Sequence, residues 1–146
     1  MSAIDNKELI RRRFEEFAAI REDVAKIRAW CEEYFAPGLT YHSPSKDSNR
    51  EETIRSWEPW VAAFSDMKMV IDDIVAERDR VMVRITFYGT HRGAFMGIPA
   101  TGKSIVMEIV TIYKIAGGKI VQVWEYPDEL GLMTQLGATM HTPKKW

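Results

Sequence analysis

The stretch Gly117 to Gly137, GGKIVQVWEYPDELGLMTQLG, indicates how the rest of the chain is organised. It opens with a glycine turn and continues as an apolar strand from Ile120 to Trp124, which leads directly into the carboxylate Glu125. A carboxylate at the end of a buried strand is costly unless it is paired, neutralised or used in chemistry. We therefore interpret the other elements as a container built around Glu125, the first candidate catalytic residue.

The composition is that of an ordinary globular chain. Its 146 residues are 46% hydrophobic and 28% charged, with a net charge of −1, so we expect one domain spanning residues 1–146. This charge balance favours neither a nucleic-acid partner nor a polybasic membrane anchor. The first thirty residues lack the apolar core of a secretory signal, and no apolar run approaches a membrane span. We therefore expect a cytoplasmic protein.

Cysteine and histidine are too sparse to predict a metal site. Cys31 is the single cysteine, so an internal disulfide is excluded and a small buried hydrophobic role is expected. The three histidines, His42, His91 and His141, lie far apart in sequence. We predict neither a metal site nor a cofactor.

The first 35 residues predict two helices. Asp5 or Asn6 is the expected cap of the first helix, and Asp23 is the expected cap of the second. A single long helix remains an alternative, because no strong breaker separates the two apolar stripes. The Pro-Gly pair at residues 37 and 38 is expected to end this segment.

A third helix and then a series of strands are expected to follow. Ser48 or Asn49 is the expected cap of the third helix, and Trp57 belongs to its apolar stripe. The alternation of apolar and polar residues after it predicts strands over Met67–Glu77, Arg80–Thr90 and Ser104–Ile115. Helices followed by an antiparallel meander indicate an α+β domain.

The last hairpin determines which residues meet the Glu125 carboxylate. A three-residue Ala-Gly-Gly loop would place Thr111 opposite Val123 and Ile109 opposite Glu125. A two-residue Gly-Gly turn would instead place Thr111 opposite Trp124. We predict the three-residue loop and keep the shorter turn as the alternative.

Three segments carry a resemblance to a known family. They are YHSP at residues 41–44, YGTHRGAFMGIPATGK at 88–103 and the stretch at 117–137. These segments resemble SnoaL-like polyketide cyclases, which belong to the nuclear transport factor 2-like superfamily. The resemblance implies a cone-shaped, curved antiparallel sheet that packs against three N-terminal helices and encloses an apolar pocket.

The resemblance also implies a reaction. Such cyclases close a ring by intramolecular aldol chemistry without metal or cofactor, and a carboxylate acts as general acid and base where this chain has Glu125. The usual family carboxylate is an aspartate, and a family histidine falls on Thr111. His91 matches a histidine of the cyclase pattern and Asp128 matches an acid, so both join Glu125 as candidate catalytic residues.

Flat and apolar side chains near these positions are candidate walls for a small apolar ligand. The predicted substrate-binding residues are His42, Trp57, Phe95, Met107, Thr111, Trp124 and Tyr126. Simpler structural roles remain open for three candidates. Asp128 could cap the helix that follows it, and His91 and His42 could be ordinary hydrogen-bonded histidines.

Three functions therefore remain open. The favoured one is a cofactor-free cyclase, isomerase or lyase in which Glu125 acts on an apolar, polyketide-like carbonyl compound. The second is a hydratase or epoxide hydrolase in which His42, His91 and Asp128 converge on a water molecule. The third is a non-catalytic ligand-binding domain. In each case we expect a homodimer that forms through the outer face of the sheet.

Overall fold

The computed structural model describes residues 2–139, and it has an α+β fold in which helices cover one face of a six-stranded curved sheet. The five helices are α1 (Ala3–Phe17), α2 (Val24–Tyr34), α3 (Arg50–Arg55), α4 (Trp57–Ala63) and α5 (Glu129–Gln135). The six strands are β1 (Phe35–His42), β2 (Asp47–Asn49), β3 (Lys68–Glu77), β4 (Arg80–Thr90), β5 (Ser104–Ala116) and β6 (Lys119–Pro127). The predicted fold class is confirmed.

The first two helices are separate, and each begins at its own cap. The Ser2 hydroxyl accepts a hydrogen bond from the Asp5 N–H at 3.1 Å, and the Asp5 carboxylate accepts one from the Ser2 N–H at 3.0 Å. This reciprocal capping box starts α1 earlier than predicted, so neither Asp5 nor Asn6 is the cap. The Asp23 carboxylate accepts hydrogen bonds from the first turn of α2, which confirms that cap.

The predicted third helix is two short helices. Asn49 caps α3 as expected by accepting a hydrogen bond from the Glu52 N–H at 2.9 Å. A continuous helix from residue 50 to residue 63 would need an N–H at Pro59 to bond to the carbonyl of Arg55. Proline has no N–H, and its ring clashes with that carbonyl, so the chain breaks at Ser56.

The Pro-Gly pair at residues 37 and 38 does not end the second helix. The helix ends at Tyr34, and the pair lies inside β1. The residue before a proline prefers extended backbone, which suits a strand.

The sheet order is β2-β1-β6-β5-β4-β3. All neighbouring strands are antiparallel except β1 and β6, which are parallel. This pair departs from the predicted antiparallel sheet, and since β1 and β6 lie far apart in sequence, no hairpin requires them to run antiparallel. The inner face of β4 carries Val81, Val83, Ile85 and Phe87, which are buried in the core.

The β5–β6 hairpin has neither of the predicted registers. Its turn is the two-residue Gly117-Gly118, with φ of 58° and 75°, a left-handed backbone that suits glycine. One extra residue, Val121, then stands between the Ile115–Ile120 and Lys114–Gln122 pairs. This bulge shifts the register once more.

Within residues 2–139, no helix is both long and apolar enough to cross a membrane.

Candidate active site

A cavity of about 310 Å³ lies between the inner face of the sheet and helices α1, α2 and α4. Its closed end is lined by buried side chains, including Arg13, Trp30, Phe35 and Tyr113. The β1–β2 connection and the start of α5 contribute the exposed residues Ser45, Lys46 and Glu129, which mark its mouth. The cavity is therefore apolar and aromatic inside and polar at its entrance, a common form for small-molecule sites.

Glu125 lines this cavity, on the inner face of β6. Glu125 is partly exposed to the cavity, yet the desolvation of its carboxyl group raises the pKa from 4.5 to about 7, with a smaller contribution from the negative charge of Glu129. Among residues 2–139 no cationic side chain forms a salt bridge with it, so no counter-charge offsets the burial. A carboxyl group with a pKa near neutrality can both take and return a proton.

Thr111 lies directly opposite Glu125 on β5 and also lines the cavity. Tyr113 is the next inward-facing residue of the same strand, about 7 Å further along for a two-residue step. Burial raises the pKa of the Tyr113 phenol, so it keeps its proton at neutral pH. The cavity wall therefore carries a row of three polar groups on a largely apolar surface.

Arg13 lies at the closed end of the cavity and is only 4% exposed. Its guanidinium carbon stands 3.7 Å from the ring centroid of Trp30 and 4.6 Å from that of Phe35. Cation–π contact of this kind stabilises a desolvated guanidinium in part.

Four of the predicted site residues line this cavity. They are Glu125, Thr111, Trp57 and Met107. Trp57 reaches the lining from α4, where its ring packs against those of Phe17 and Trp30. The geometry brings these four together, while their roles in binding and catalysis stay predictions.

His91 does not reach the cavity lining. It is fully buried beside the Phe64 ring, and its Nδ1 lies 2.9 Å from the Thr101 hydroxyl and accepts a hydrogen bond from the Thr101 N–H. Its backbone bonds to Gly102 and Lys103. His91 directly follows β4 in the phase of its apolar face and therefore lies in the core, where it holds the 93–102 loop in place and does not reach the cavity lining.

Phe95 is also outside the lining. Its ring lies 4.7 Å from that of Trp60 and 5.2 Å from that of Phe64, and the side chain is 5% exposed. Trp60 lines the cavity, whereas Phe95 does not. Phe95 therefore supports the wall from behind instead of forming it.

Trp124, Tyr126 and His42 are placed on the opposite face of the sheet. Because side chains alternate along a strand, the two neighbours of an inward Glu125 point outward. Tyr126 is 56% exposed, and Trp124 stacks on His42 at 5.4 Å between ring centroids. His42 also bonds to Asp47 through Nδ1 at 2.7 Å. Trp124, Tyr126 and His42 therefore lie outside the lining of this cavity, and the structure does not bring them together with Glu125.

Asp128 caps α5, because its carboxylate accepts a hydrogen bond from the Gly131 N–H at 2.9 Å. This is the simpler role that the sequence left open. Asp128 is not part of the cavity lining, although its neighbours Pro127 and Glu129 are.

The part of the chain from residue 2 to residue 139 holds no cluster of three or more His, Cys, Asp or Glu side chains that could bind a metal ion. His141 lies outside these residues.

Sequence reasoning missed Arg13, Tyr113 and Glu129. Arg13 stands at helical spacing from Ile10 and Phe17, and that position within the apolar stripe was the available signal. A run of three arginines on a helix usually lies on a solvated face, so the adjacent arginines 11 and 12 concealed this signal. Tyr113 follows Thr111 in the same strand phase, so a register placing Thr111 opposite Glu125 would also have indicated Tyr113.

Comparisons with known proteins give a consistent result. The family model for SnoaL-like polyketide cyclase matches residues 8–136. Aklanonic acid methyl ester cyclase DauD of Streptomyces sp. strain C5 is 32% identical over 143 residues, covering 95% of this chain and 86% of that protein. The corresponding cyclase DnrD of Streptomyces peucetius is 33% identical over 117 residues, covering 78% and 79% of the two chains.

A solved structure extends the likeness to three dimensions. AclR from Streptomyces galilaeus, a proposed hydroxylase, superposes with a TM-score of 0.84 at 26% identity and covers 98% of this chain and 87% of its own. The family model and the cyclase relatives together cover most of the sequence, including Glu125 and the strands around it. The chain therefore belongs to the SnoaL-like polyketide cyclase family.

Proposed function

We propose that this enzyme closes a ring in an apolar polyketide-like carbonyl compound by an intramolecular aldol reaction, with Glu125 as general acid and base. The observation that carries the proposal is the unpaired carboxyl group of Glu125 in an apolar cavity, where burial raises its pKa to about 7. The curated relatives are named as cyclases of aklanonic acid methyl ester, so a methyl ester of a polyketide acid is the substrate class that we propose.

The reaction needs two proton transfers and no other reagent. The Glu125 carboxylate removes a proton from a carbon between two carbonyl groups, and the electron pair left behind forms an enolate. The enolate carbon attacks a ketone carbon of the same molecule, so that a carbon–carbon bond forms and the ketone oxygen becomes an alkoxide. The Glu125 carboxylic acid then returns the proton to that alkoxide, which leaves the product isomeric with the substrate.

The site offers physical support for each transfer. A pKa near 7 leaves a substantial fraction of Glu125 ionised at neutral pH, and the same group is a strong enough acid once protonated. Thr111 stands where the family pattern has a histidine and has no ionisable group, so Glu125 carries both transfers in this proposal. The aromatic walls restrict the conformations of a bound chain and exclude water.

The proposal is tested by incubating the protein with aklanonic acid methyl ester and following the product by chromatography with mass detection. A product of unchanged mass and shifted retention, absent with Glu125→Gln, is the expected result. Addition of one water would favour the hydratase or epoxide-hydrolase alternative. Binding of the ester without any new product would favour the non-catalytic ligand-binding domain.

A further inference from the structure

An arginine is buried at the closed end of the cavity without a carboxylate partner. Arg13 is 4% exposed, and its Nε and Nη1 atoms have no hydrogen-bond partner among residues 2–139. An arginine guanidinium stays cationic in proteins. A buried, unpaired charge is strongly unfavourable unless another group compensates it.

The aromatic rings around Arg13 compensate only part of the free-energy cost of burying its charge. Trp30 and Phe35 lie within 3.7 and 4.6 Å of the guanidinium carbon, as measured to their ring centroids. Such contacts engage the π-faces of the rings, and they provide no lone pairs for the N–H donors around the edge of the guanidinium plane. The rings therefore position Arg13 and leave its buried Nε and Nη1 donors without an acceptor.

The polar neighbours of Arg13 supply no negative charge. Burial is the main influence on Tyr113 and Cys31 and raises the pKa of both groups, although the charge and hydrogen bonding of Arg13 act on each in the opposite direction. Each stays neutral at neutral pH. The Tyr113 hydroxyl, which also lines the cavity, adds a further donor beside the guanidinium.

We propose that Arg13 and Tyr113 form a binding subsite for an anionic oxygen of the ligand, such as a carboxylate, enolate or phenolate. Hydrogen bonds from a guanidinium to an anionic oxygen are the stronger, charge-assisted kind, and a planar fork suits two acceptor atoms. The ligand class is thus an apolar ring system that carries one acidic oxygen.

The subsite is distinct from the reacting end of the cavity. Arg13 is not among the groups that shift the Glu125 pKa, and Tyr113 lies one inward-facing step beyond Thr111, the partner of Glu125 across the hairpin. An apolar molecule of about two fused rings can span this step, with its acidic oxygen at Arg13 and its other end near Glu125. The role of this orientation in catalysis rests on the proposed function. Binding at the subsite can be measured without turnover.

The test compares 2-naphthoate with its uncharged near-isostere 2-naphthamide by isothermal titration calorimetry. With the wild-type protein we expect the dissociation constant of 2-naphthoate to be lower by at least about tenfold, the size of one good charge-assisted interaction. Arg13→Met should reduce this preference, expressed as the ratio of the two dissociation constants, to about one. Arg13→Lys should retain only part of the preference. Arg11→Met, on the same helix but in a surface ion pair with Glu8, should leave it unchanged.

Each alternative outcome overturns the subsite. One such outcome is a ratio of the two dissociation constants near one in the wild-type protein. Another is a ratio that is unchanged in Arg13→Met while the melting temperature falls, because Arg13 would then be a structural residue. If Arg13→Met does not fold, an undiminished preference in Arg13→Lys has the same consequence. Glu125→Gln should retain the preference for 2-naphthoate, so a failed catalytic proposal would not be mistaken for a failed binding subsite.

Discussion

Thr111 of β5 and Glu125 of β6 stand directly opposite each other, and both line the cavity. This pairing results from two features of the hairpin, a two-residue glycine turn and the extra residue Val121. A threonine beside the carboxyl group adds no charge, so burial remains the main influence on the Glu125 pKa. The hairpin therefore produces a carboxyl group that titrates near neutrality.

The first prediction concerns turnover. Glu125→Gln should lower kcat by about 10²–10⁴-fold, the usual contribution of a general acid–base group, because an amide has nearly the same shape but transfers no proton. Ligand affinity should change little, since the apolar walls remain. Steady-state kinetics and calorimetric binding on the same preparation measure the two effects.

A matched variant controls for the loss of one carboxylate. Glu108 is exposed on the outer face of β5, so Glu108→Gln should keep wild-type kcat and wild-type affinity. Undiminished turnover in Glu125→Gln would remove Glu125 from the mechanism.

The second prediction concerns stability against pH. The Glu125 pKa is about 7 in the folded chain and 4.5 as the reference for the unfolded chain. Between these values the folded state binds more protons than the unfolded state, so the free energy of unfolding should fall as pH rises from 4.5 to 7 and then level off. The full difference is on the order of 3 kcal/mol at ~1.4 kcal/mol per pKa unit.

Urea unfolding at about pH 5 and about pH 8, for wild-type protein and Glu125→Gln, measures this linkage directly. Glu125→Gln should lack the part of the fall in the free energy of unfolding that titration of Glu125 causes. A carboxyl carbon NMR titration, assigned by difference against the same variant, gives the pKa itself. An ordinary glutamate value near 4.3 would contradict both the stability prediction and the acid–base role.

The third prediction concerns assembly. The outer face of the sheet carries an apolar cross-strand row in which Val75 pairs with Met82 and Met82 pairs with Ile112. Val75 is 52% exposed and Met82 is 43% exposed. An exposed apolar sheet face of this kind favours association, so we expect a homodimer with twice the 16.8 kDa mass of the chain.

Light scattering coupled to size exclusion measures that mass. Met82→Lys places a charge in the centre of the row and should give a monomer with an unchanged circular dichroism spectrum. Met96→Lys is the control, because Met96 is 73% exposed in the 93–102 loop, outside the strands that carry this row. A wild-type monomer, or an equal effect of the two substitutions, would exclude an outer-face dimer.

The sequence predicted the fold well because the fold depends on patterns that repeat. Alternation over the eleven residues from Arg80 to Thr90 identified β4 with its correct bounds. Side-chain chemistry identified the Asp23 cap and limited the cap of α3 to Ser48 or Asn49, of which the structure shows Asn49. The bulge at Val121 depends on a single residue within an apolar strand, so no periodic signal revealed it. That one residue decided which side chain faces Glu125.

The site was harder to predict for the same reason. Glu125, Thr111, Trp57 and Met107 were predicted as site residues, and they line the cavity. Trp124 and Tyr126 were selected for their aromatic character although strand alternation directs them outward. Arg13 was overlooked because a buried, unpaired arginine is unusual, and only the packed structure shows that its side chain enters the cavity.

The last prediction separates the two influences on the Glu125 pKa. Burial is the larger cause of its rise and the negative charge of Glu129 is the smaller, so Glu129→Gln should lower the pKa without returning it to 4.5. A general base acts when ionised, and therefore the rising limb of kcat/KM against pH should move to lower pH. Because Glu129 is exposed at the cavity mouth, the shift should shrink at high salt. Glu108→Gln should leave the limb in place, whereas an unshifted limb in Glu129→Gln would mean that the limb reports a group other than Glu125.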